Sequence, residues 1–277
     1  REEYARGSMF KNYREDWVFR TTYDYDTRYF FEFNGAYNGS EQFGPGYRFD
    51  FFPSLAVGWN VANEKFWTIQ QVNRLKLRYS IGIVGDDNIS GGSRWLYSSQ
   101  LAFGGANRLG QLTNVTSPYT WYKESVVGNP DIHWEKARKN NFGVEMGLFN
   151  DLFSITYDYF TEYRSDILLV GSSRSIPPFF GTMPPSANVG EVKSHGQELE
   201  IKFNKSMSTG WNIWTNLAFA RNINKIITRD DPALLDAHLK AAGYAIGQIK
   251  TTVRTGFYNS WDEIYASVPM ETNDASK

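Results

Sequence analysis

Apolar and polar residues alternate with a period of two along most of the chain. Between positions 74 and 83, Leu75, Leu77, Tyr79, Ile81 and Ile83 are separated by Lys76, Arg78, Ser80 and Gly82. That is the period of a β-strand, whose successive side chains point to opposite faces. The same alternation runs through 17–24, 28–38, 54–61, 141–148, 153–164, 198–204 and 211–222, giving about eight strands. Residues 2–10 carry a weaker ninth. Phe30 and Trp214 are exceptions, apolar residues at polar-face positions.

The connections alternate in length. Those near 25–27, 149–151 and 206–210 are short, whereas 39–50, 85–131, 166–192 and 226 onward are long. The connection at 62–73 is longer than its short-side companions, and Asn63 is placed to cap a helical turn there. Short turns at one end and long loops at the other is the layout of an outer-membrane β-barrel. The rival is a soluble β-sandwich, which also alternates but buries one face against a second sheet. Strands of about ten residues, a strongly charged polar face and a loop of about 45 residues favour the barrel. One helix is expected in the last long loop, over 231–242. Asp231 would cap it, Pro232 suits its first turn, Leu234, Leu235 and Leu239 make a stripe, and Gly243 ends it. The chain therefore divides into strands and loops at 1–225 and an extracellular loop with a short helix at 226–277.

Composition sharpens this. The aromatic share is 17%, with 9 Trp, 17 Tyr and 20 Phe, while the formal net charge is only −1. The near-neutral charge argues against a general nucleic-acid binder. With no cysteine, disulfide scaffolds, thiolate zinc sites and cysteine catalysis are excluded. No apolar run approaches a membrane helix of about 18 residues. A mean hydropathy of −0.48 would suggest a soluble protein, but a barrel averages polar because its two faces alternate. The chain opens on Arg1 within strand-like sequence and shows no signal peptide, so it reads as a fragment or processed piece.

No reactive constellation stands out. His133, His195 and His238 are not spaced as metal-ligand pairs. Asp86, Asp87 and Asn88 lack the alternation of a Ca²⁺ loop. Glu198 and Glu200 lie about 7 Å apart on one strand face, yet Lys202 shares that face, as expected of a charged wall. No catalytic, metal-binding or cofactor-binding residue is assigned, and the protein is not expected to be an enzyme. Binding is a different matter. Trp95, Tyr97, Tyr119, Trp121 and Tyr122 fall in the longest loop and Phe179 and Phe180 in the next, where aromatic rings can stack on a substrate or a partner. Arg74, Arg78, Glu198 and Glu200 are candidates to line the lumen.

Several stretches go beyond pattern. The run Phe43-Gly44-Pro45-Gly46-Tyr47-Arg48-Phe49-Asp50-Phe51-Phe52-Pro53-Ser54, continuing into Val57-Gly58-Trp59, resembles a signature of SusC/RagA-type TonB-dependent outer-membrane transporters. Asn63-Glu64-Lys65-Phe66-Trp67, Gly85-Asp86-Asp87-Asn88-Ile89, Asn129-Pro130-Asp131-Ile132-His133-Trp134-Glu135-Lys136, and Asn188-Val189-Gly190-Glu191-Val192 followed by Gly196-Gln197-Glu198 are similar to further segments in the family's order. The resemblance covers roughly 10–225.

It implies an all-β, antiparallel transmembrane barrel segment in a bacterial outer membrane, crossing it many times, in a Bacteroidetes-type importer of glycan or peptide oligomers. It also implies a SusD-like lipoprotein on the extracellular face, TonB acting through an N-terminal region, outer-membrane lipid around the wall, and no nucleic acid. Such barrels have roughly 22 strands, so eight or nine make well under half. The plug, the TonB-contacting segment and the closing strands are not among these residues. Two alternatives stand beside this: a soluble secreted β-sandwich that binds carbohydrate, and a passive porin-type barrel.

Overall fold

The computed structural model describes residues 13–89, 94–106, 120–177, 179, 181–251 and 256–266. The tentative strand at 2–10 lies outside them. Among the described residues ten strands form: β1 (Arg14–Tyr25), β2 (Tyr29–Ser40), β3 (Phe49–Asn60), β4 (Val72–Asp86), β5 (Gln100–Ala106), β6 (Thr120–Val126), β7 (Glu135–Leu148), β8 (Phe153–Leu169), β9 (Ala187–Ser206) and β10 (Asn212–Thr228). Eight make one antiparallel meander in the order β1-β2-β3-β4-β7-β8-β9-β10, while β5 and β6 pair as a separate hairpin. The eight periodic segments of the sequence are those eight strands. The hairpin lies inside the long connection between β4 and β7. Its register shifts twice, which breaks the regular alternation that marks a strand.

The registers carry single cross-strand rows over all eight strands. One row runs Tyr25, Tyr29, Trp59, Leu77, Val144, Tyr157, Leu199 and Phe219, apolar or aromatic throughout. The adjacent row on the other face runs Asp24, Phe30, Gly58, Arg78, Gly143, Asp158, Glu198 and Ala220. No second sheet covers the aromatic face among the described residues. Tyr79, at its centre, is 42% exposed, and Val57, Phe142, Tyr159 and Leu217 are exposed as well. A sandwich would bury that face, which is open among the described residues.

The short connections turn through left-handed backbone. Asp26 and Thr27 both have positive φ (54° and 52°) in the β1–β2 turn, the conformation a tight hairpin needs to match strand twist. Asn63 was expected to begin a helical turn, but the 3₁₀ turn occupies Val61–Asn63 and Asn63 ends it. Its amide instead donates to the carbonyl and hydroxyl of Thr27 at 3.1 and 3.2 Å, tying the β3–β4 connection to the β1–β2 turn.

The buried core sits at the long-loop end. Phe43, Phe52, Leu96, Ile132 and Trp134 form it, with Ile132 and Trp134 0% and 1% exposed. Pro53 has no amide donor, and the β3–β4 pairing ends one residue on, at Ser54–Gly82. Beyond that point the Phe52 ring lies against Gly85, where any Cβ would collide with it. Trp134 packs on Phe43 and Phe52 at ring distances of 5.2 and 5.4 Å and donates its indole N–H to the Arg48 carbonyl.

The helix expected over 231–242 does not form. Isolated turns occupy this segment, such as Leu235 N–H to the Pro232 carbonyl at 3.1 Å. The Asp231 carboxylate accepts from the Ala242 amide and closes a loop rather than capping a helix. A short helix needs a buried stripe to offset its nucleation cost, and here Leu234 is 100% exposed and Leu239 is exposed too. β10 continues three residues past the expected boundary at 225, and the unit containing the sheet spans Arg1–Ile246. In a second unit, Gly247–Lys277, the described residues include a short helix, α1 (Trp261–Ala266). The Ser260 hydroxyl accepts from the Glu263 amide, while the Glu263 carboxylate accepts from the Asn259 amide, a reciprocal arrangement resembling a capping box.

Candidate functional site

The polar face is a wall of side chains that lie flat. Arg78 on β4 reaches over Gly143 on β7 to Asp158 on β8, with Nη2 2.6 Å from Oδ2, and its Nε is 3.3 Å from Glu145. A Cβ on Gly143 would stand 2.5 Å from that Nε, so only glycine leaves the path open. Arg74 crosses Gly147 in the same way, donating to Ser154 Oγ at 2.9 Å and lying 3.3 Å from Asp151. On β2, Phe30 lies over Gly58 and meets the Lys76 ammonium at 4.5 Å from the ring centroid. That cation–π contact accounts for an aromatic residue on the polar face.

Of the four expected lumen residues, Arg74, Arg78 and Glu200 join this wall in pairs. Glu200 faces Lys202 at 2.9 Å and accepts from Asn216 at 3.0 Å. Glu198 is exposed and sits directly opposite Asp158. Like charges so placed repel, and Arg78 relieves this by binding Asp158.

The loop end is built around a cavity of about 500 Å³ lined by Tyr13, Glu15, Arg48, Phe49, Trp95 and Tyr97 among others. Trp95 and Tyr97 thus line the same cavity, on either side of the buried Leu96. The Trp95 backbone has a φ of 51°, which lets this corner turn sharply. Tyr122 is exposed on β6 and Phe179 is 90% exposed; neither lines this cavity. Tyr119 and Phe180 lie outside the described residues, as does the side chain of Trp121.

Two polar clusters were not found from sequence. At the turn end, Glu64 accepts from Tyr29 Oη at 2.6 Å, Trp59 Nε1 at 3.0 Å and Arg28 Nη1 at 3.1 Å. The Tyr29 hydroxyl foremost, then the Trp59 indole, holds the Glu64 carboxyl below its usual range. At the loop end, Arg174 clasps Asp230 at 2.6 Å, and this hydrogen bond lowers the Asp230 pKa. Apart from Trp59 and Glu64, the partners are far apart in sequence, so no local pattern marks the clusters. His133 is bland: Nδ1 lies 2.7 Å from the Asp131 carbonyl oxygen in the loop before β7. His195 sits well inside β9. Among the described residues, no group of acidic or histidine side chains is arranged to hold a metal.

The sequence matches the family described as TonB dependent receptor-like, beta-barrel over residues 7–257. The chain belongs to that family. Curated relatives of the same kind are similar to it. TonB-dependent receptor SusC of Bacteroides thetaiotaomicron is 28% identical over 225 residues, covering 76% of this chain and 21% of that protein. TonB-dependent receptor P3 of Formosa agariphila is 27% identical over 214 residues, covering 76% of this chain and 20% of that protein. Among solved structures, the RagAB peptide importer in its closed-closed state superposes with a TM-score of 0.69 at 23% identity, over 83% of this chain and 24% of that one. This last likeness concerns the fold. The chain spans about a fifth of the length of the curated relatives it matches. The family consists of outer-membrane receptors and transporters, not enzymes, and this segment supplies part of such a barrel.

Proposed function

We propose that this chain forms part of the membrane-spanning wall of a TonB-driven importer of oligomeric nutrients, either glycans or peptides. The observation that carries the reading is the two-faced sheet: an uncovered aromatic face across all eight strands, backed by a flat, ion-paired polar face. In a barrel the aromatic face meets lipid and the polar face lines the lumen. The upper edge of the apolar band supports strand tilt. It lies at Trp17 on β1 and at Phe219 on β10, a diagonal across the hydrogen-bonded rows, as strands inclined to a barrel axis require. β1 and β10 each pair with a single neighbour in this sheet. Strand edges cannot stay unpaired in lipid, so further strands complete a barrel, roughly 22 in plugged transporters.

In this arrangement the short turns face the periplasm and the long loops the exterior. Trp95 and Tyr97 at the loop-end cavity, with Tyr119, Trp121, Tyr122, Phe179 and Phe180, supply stacking surface for substrate or for a SusD-like lipoprotein seated on the loops. Arg74, Arg78, Glu198 and Glu200 line the path and hold the plug. No bond in the substrate is made or broken, and TonB acts through the N-terminal region of the whole protein.

The test is uptake of labelled oligosaccharides and peptides by cells carrying the full-length protein, with and without TonB. TonB-dependent accumulation of one class is expected. Equilibration that ignores TonB would instead support a passive porin.

A further inference from the structure

The cations of the two faces differ in their partners, with Lys76 on the polar face meeting the Phe30 ring instead of a carboxylate. On the polar face, Arg20, Arg74, Arg78, Lys139, Arg164 and Lys202 each have a carboxylate within ion-pair distance. On the aromatic face, Arg138 (β7), Lys193 (β9), and Arg221 and Lys225 (β10) are all exposed, and among the described residues none of the four is in an ion pair. Their side follows from register. Asn140, two residues from Arg138, bonds the Tyr79 hydroxyl and Thr161 on that face.

These four residues cluster. Arg138, Tyr163, Lys193 and Lys225 make one cross-strand row. Lys193 and Lys225 stand directly opposite each other, a like-charge pair that is unfavourable without a counter-ion. Two acids lie near this row: Glu191 takes the Thr228 hydroxyl at 3.1 Å and the Tyr163 hydroxyl, and Asp166 lies 3.7 Å from His133 Nε2. Lys136, further along β7, is bound to Asp50 at 2.6 Å.

The heights agree as well. Arg138 and Lys225 are three strand spacings apart, about 14 Å. Strand tilt lifts the row by about 9 Å over that span. Arg221, four residues (about 13 Å along the strand) nearer the turns than Lys225, therefore stands level with Arg138. The cluster marks the loop-end border of the apolar band. At the turn end the same face carries only Lys205 among these eight strands.

We infer that Arg138, Lys193, Arg221 and Lys225 form a binding site for the phosphate groups of anionic lipid headgroups in the outer leaflet. This rests on the lipid-facing assignment of the aromatic band. Ammonium and guanidinium groups at an interface are matched to phosphate oxygens by charge-assisted hydrogen bonds. The Lys193–Lys225 repulsion becomes an attraction shared through one bridging phosphate. The acyl chains of the same lipid would lie on the Tyr79–Phe142–Tyr159 row below.

The test uses full-length protein in detergent, with retained lipid counted by native mass spectrometry. The probes are monophosphoryl lipid A and its enzymatically dephosphorylated form. The phosphorylated form is expected to be retained, K193Q/K225Q and R138Q/R221Q each to lower retention by about tenfold, and K205Q to leave it unchanged. Equal retention of the two lipids, or retention indifferent to both double variants, would overturn the site. Displacement of the lipid by millimolar inorganic phosphate would overturn the lipid assignment in favour of a free anion. A membrane-soluble diazirine, applied in the same experiment in vesicles, separates the two ideas. Labelling of the Tyr79–Phe142 row without phosphate selectivity sinks this inference alone, whereas no labelling there sinks the functional reading beneath it.

Discussion

Arg78 and Asp158 sit on strands that are not neighbours in the sheet, yet their side chains meet at 2.6 Å across the bare backbone of Gly143. The glycine is thus part of the ion pair. Gly143→Leu should push the guanidinium off its path, leave Asp158 facing Glu198 uncompensated, and cost about 1–3 kcal/mol. Gly46→Ala is the control, since a Cβ there meets nothing within 4 Å. It should change stability by no more than about 0.5 kcal/mol. Urea unfolding of the full-length barrel in detergent measures both.

Trp134 anchors the loop end through Phe43, Phe52 and the Arg48 carbonyl. Trp134→Ala should remove about 3–5 kcal/mol of local packing. The expected readout is faster proteolysis within 87–134, with the strands below still protected.

Acid should open the Arg174–Asp230 clasp. The Asp230 pKa is lowered in the folded protein, so its contribution is present above the ordinary aspartate value and is lost as pH falls through the lower, folded one. Hydrogen exchange in 170–186 should quicken on acidification below the usual carboxylate range. Asp230→Asn should show the fast exchange already at neutral pH and little further change with acid.

Phe179 is 90% exposed, so Phe179→Ala should leave stability within about 0.5 kcal/mol. On the proposed stacking role, uptake by the full-length protein should fall severalfold while the unfolding midpoint stays fixed. Trp95→Ala should lower both, because Trp95 lines the cavity beside Tyr97.

How much was legible in the sequence follows from how local each signal is. The period of two in Leu75–Leu77–Tyr79 exposes a strand within a few residues, which is why all eight strands of the sheet were found. The pairing of Arg78 with Asp158 depends on register across three strands, and nothing near either residue encodes it. The stripe of Leu234, Leu235 and Leu239 suggested a helix because pattern reports amphipathicity. It cannot report whether anything exists for the stripe to pack against, and Leu234 is fully exposed among the described residues. The β5–β6 hairpin was hidden for the opposite reason, its two register shifts scrambling the alternation. Trp95 and Tyr97 were singled out as loop aromatics, but their shared cavity depends on β1 and β3 residues far away in sequence.

The central claim is that the aromatic face meets lipid and the polar face meets water. These 277 residues contain no cysteine, so each introduced cysteine is the only one in this segment, and the parent full-length protein is labelled in parallel to subtract any signal from elsewhere. Val57, Tyr79 and Leu217 report on the aromatic face, and Lys76, Asn141 and Asn216 on the polar face. In outer-membrane vesicles, the first three should react with a membrane-soluble maleimide and resist a charged, impermeant one, and the second three should do the reverse. Equal reaction of all six with the charged reagent would contradict the account.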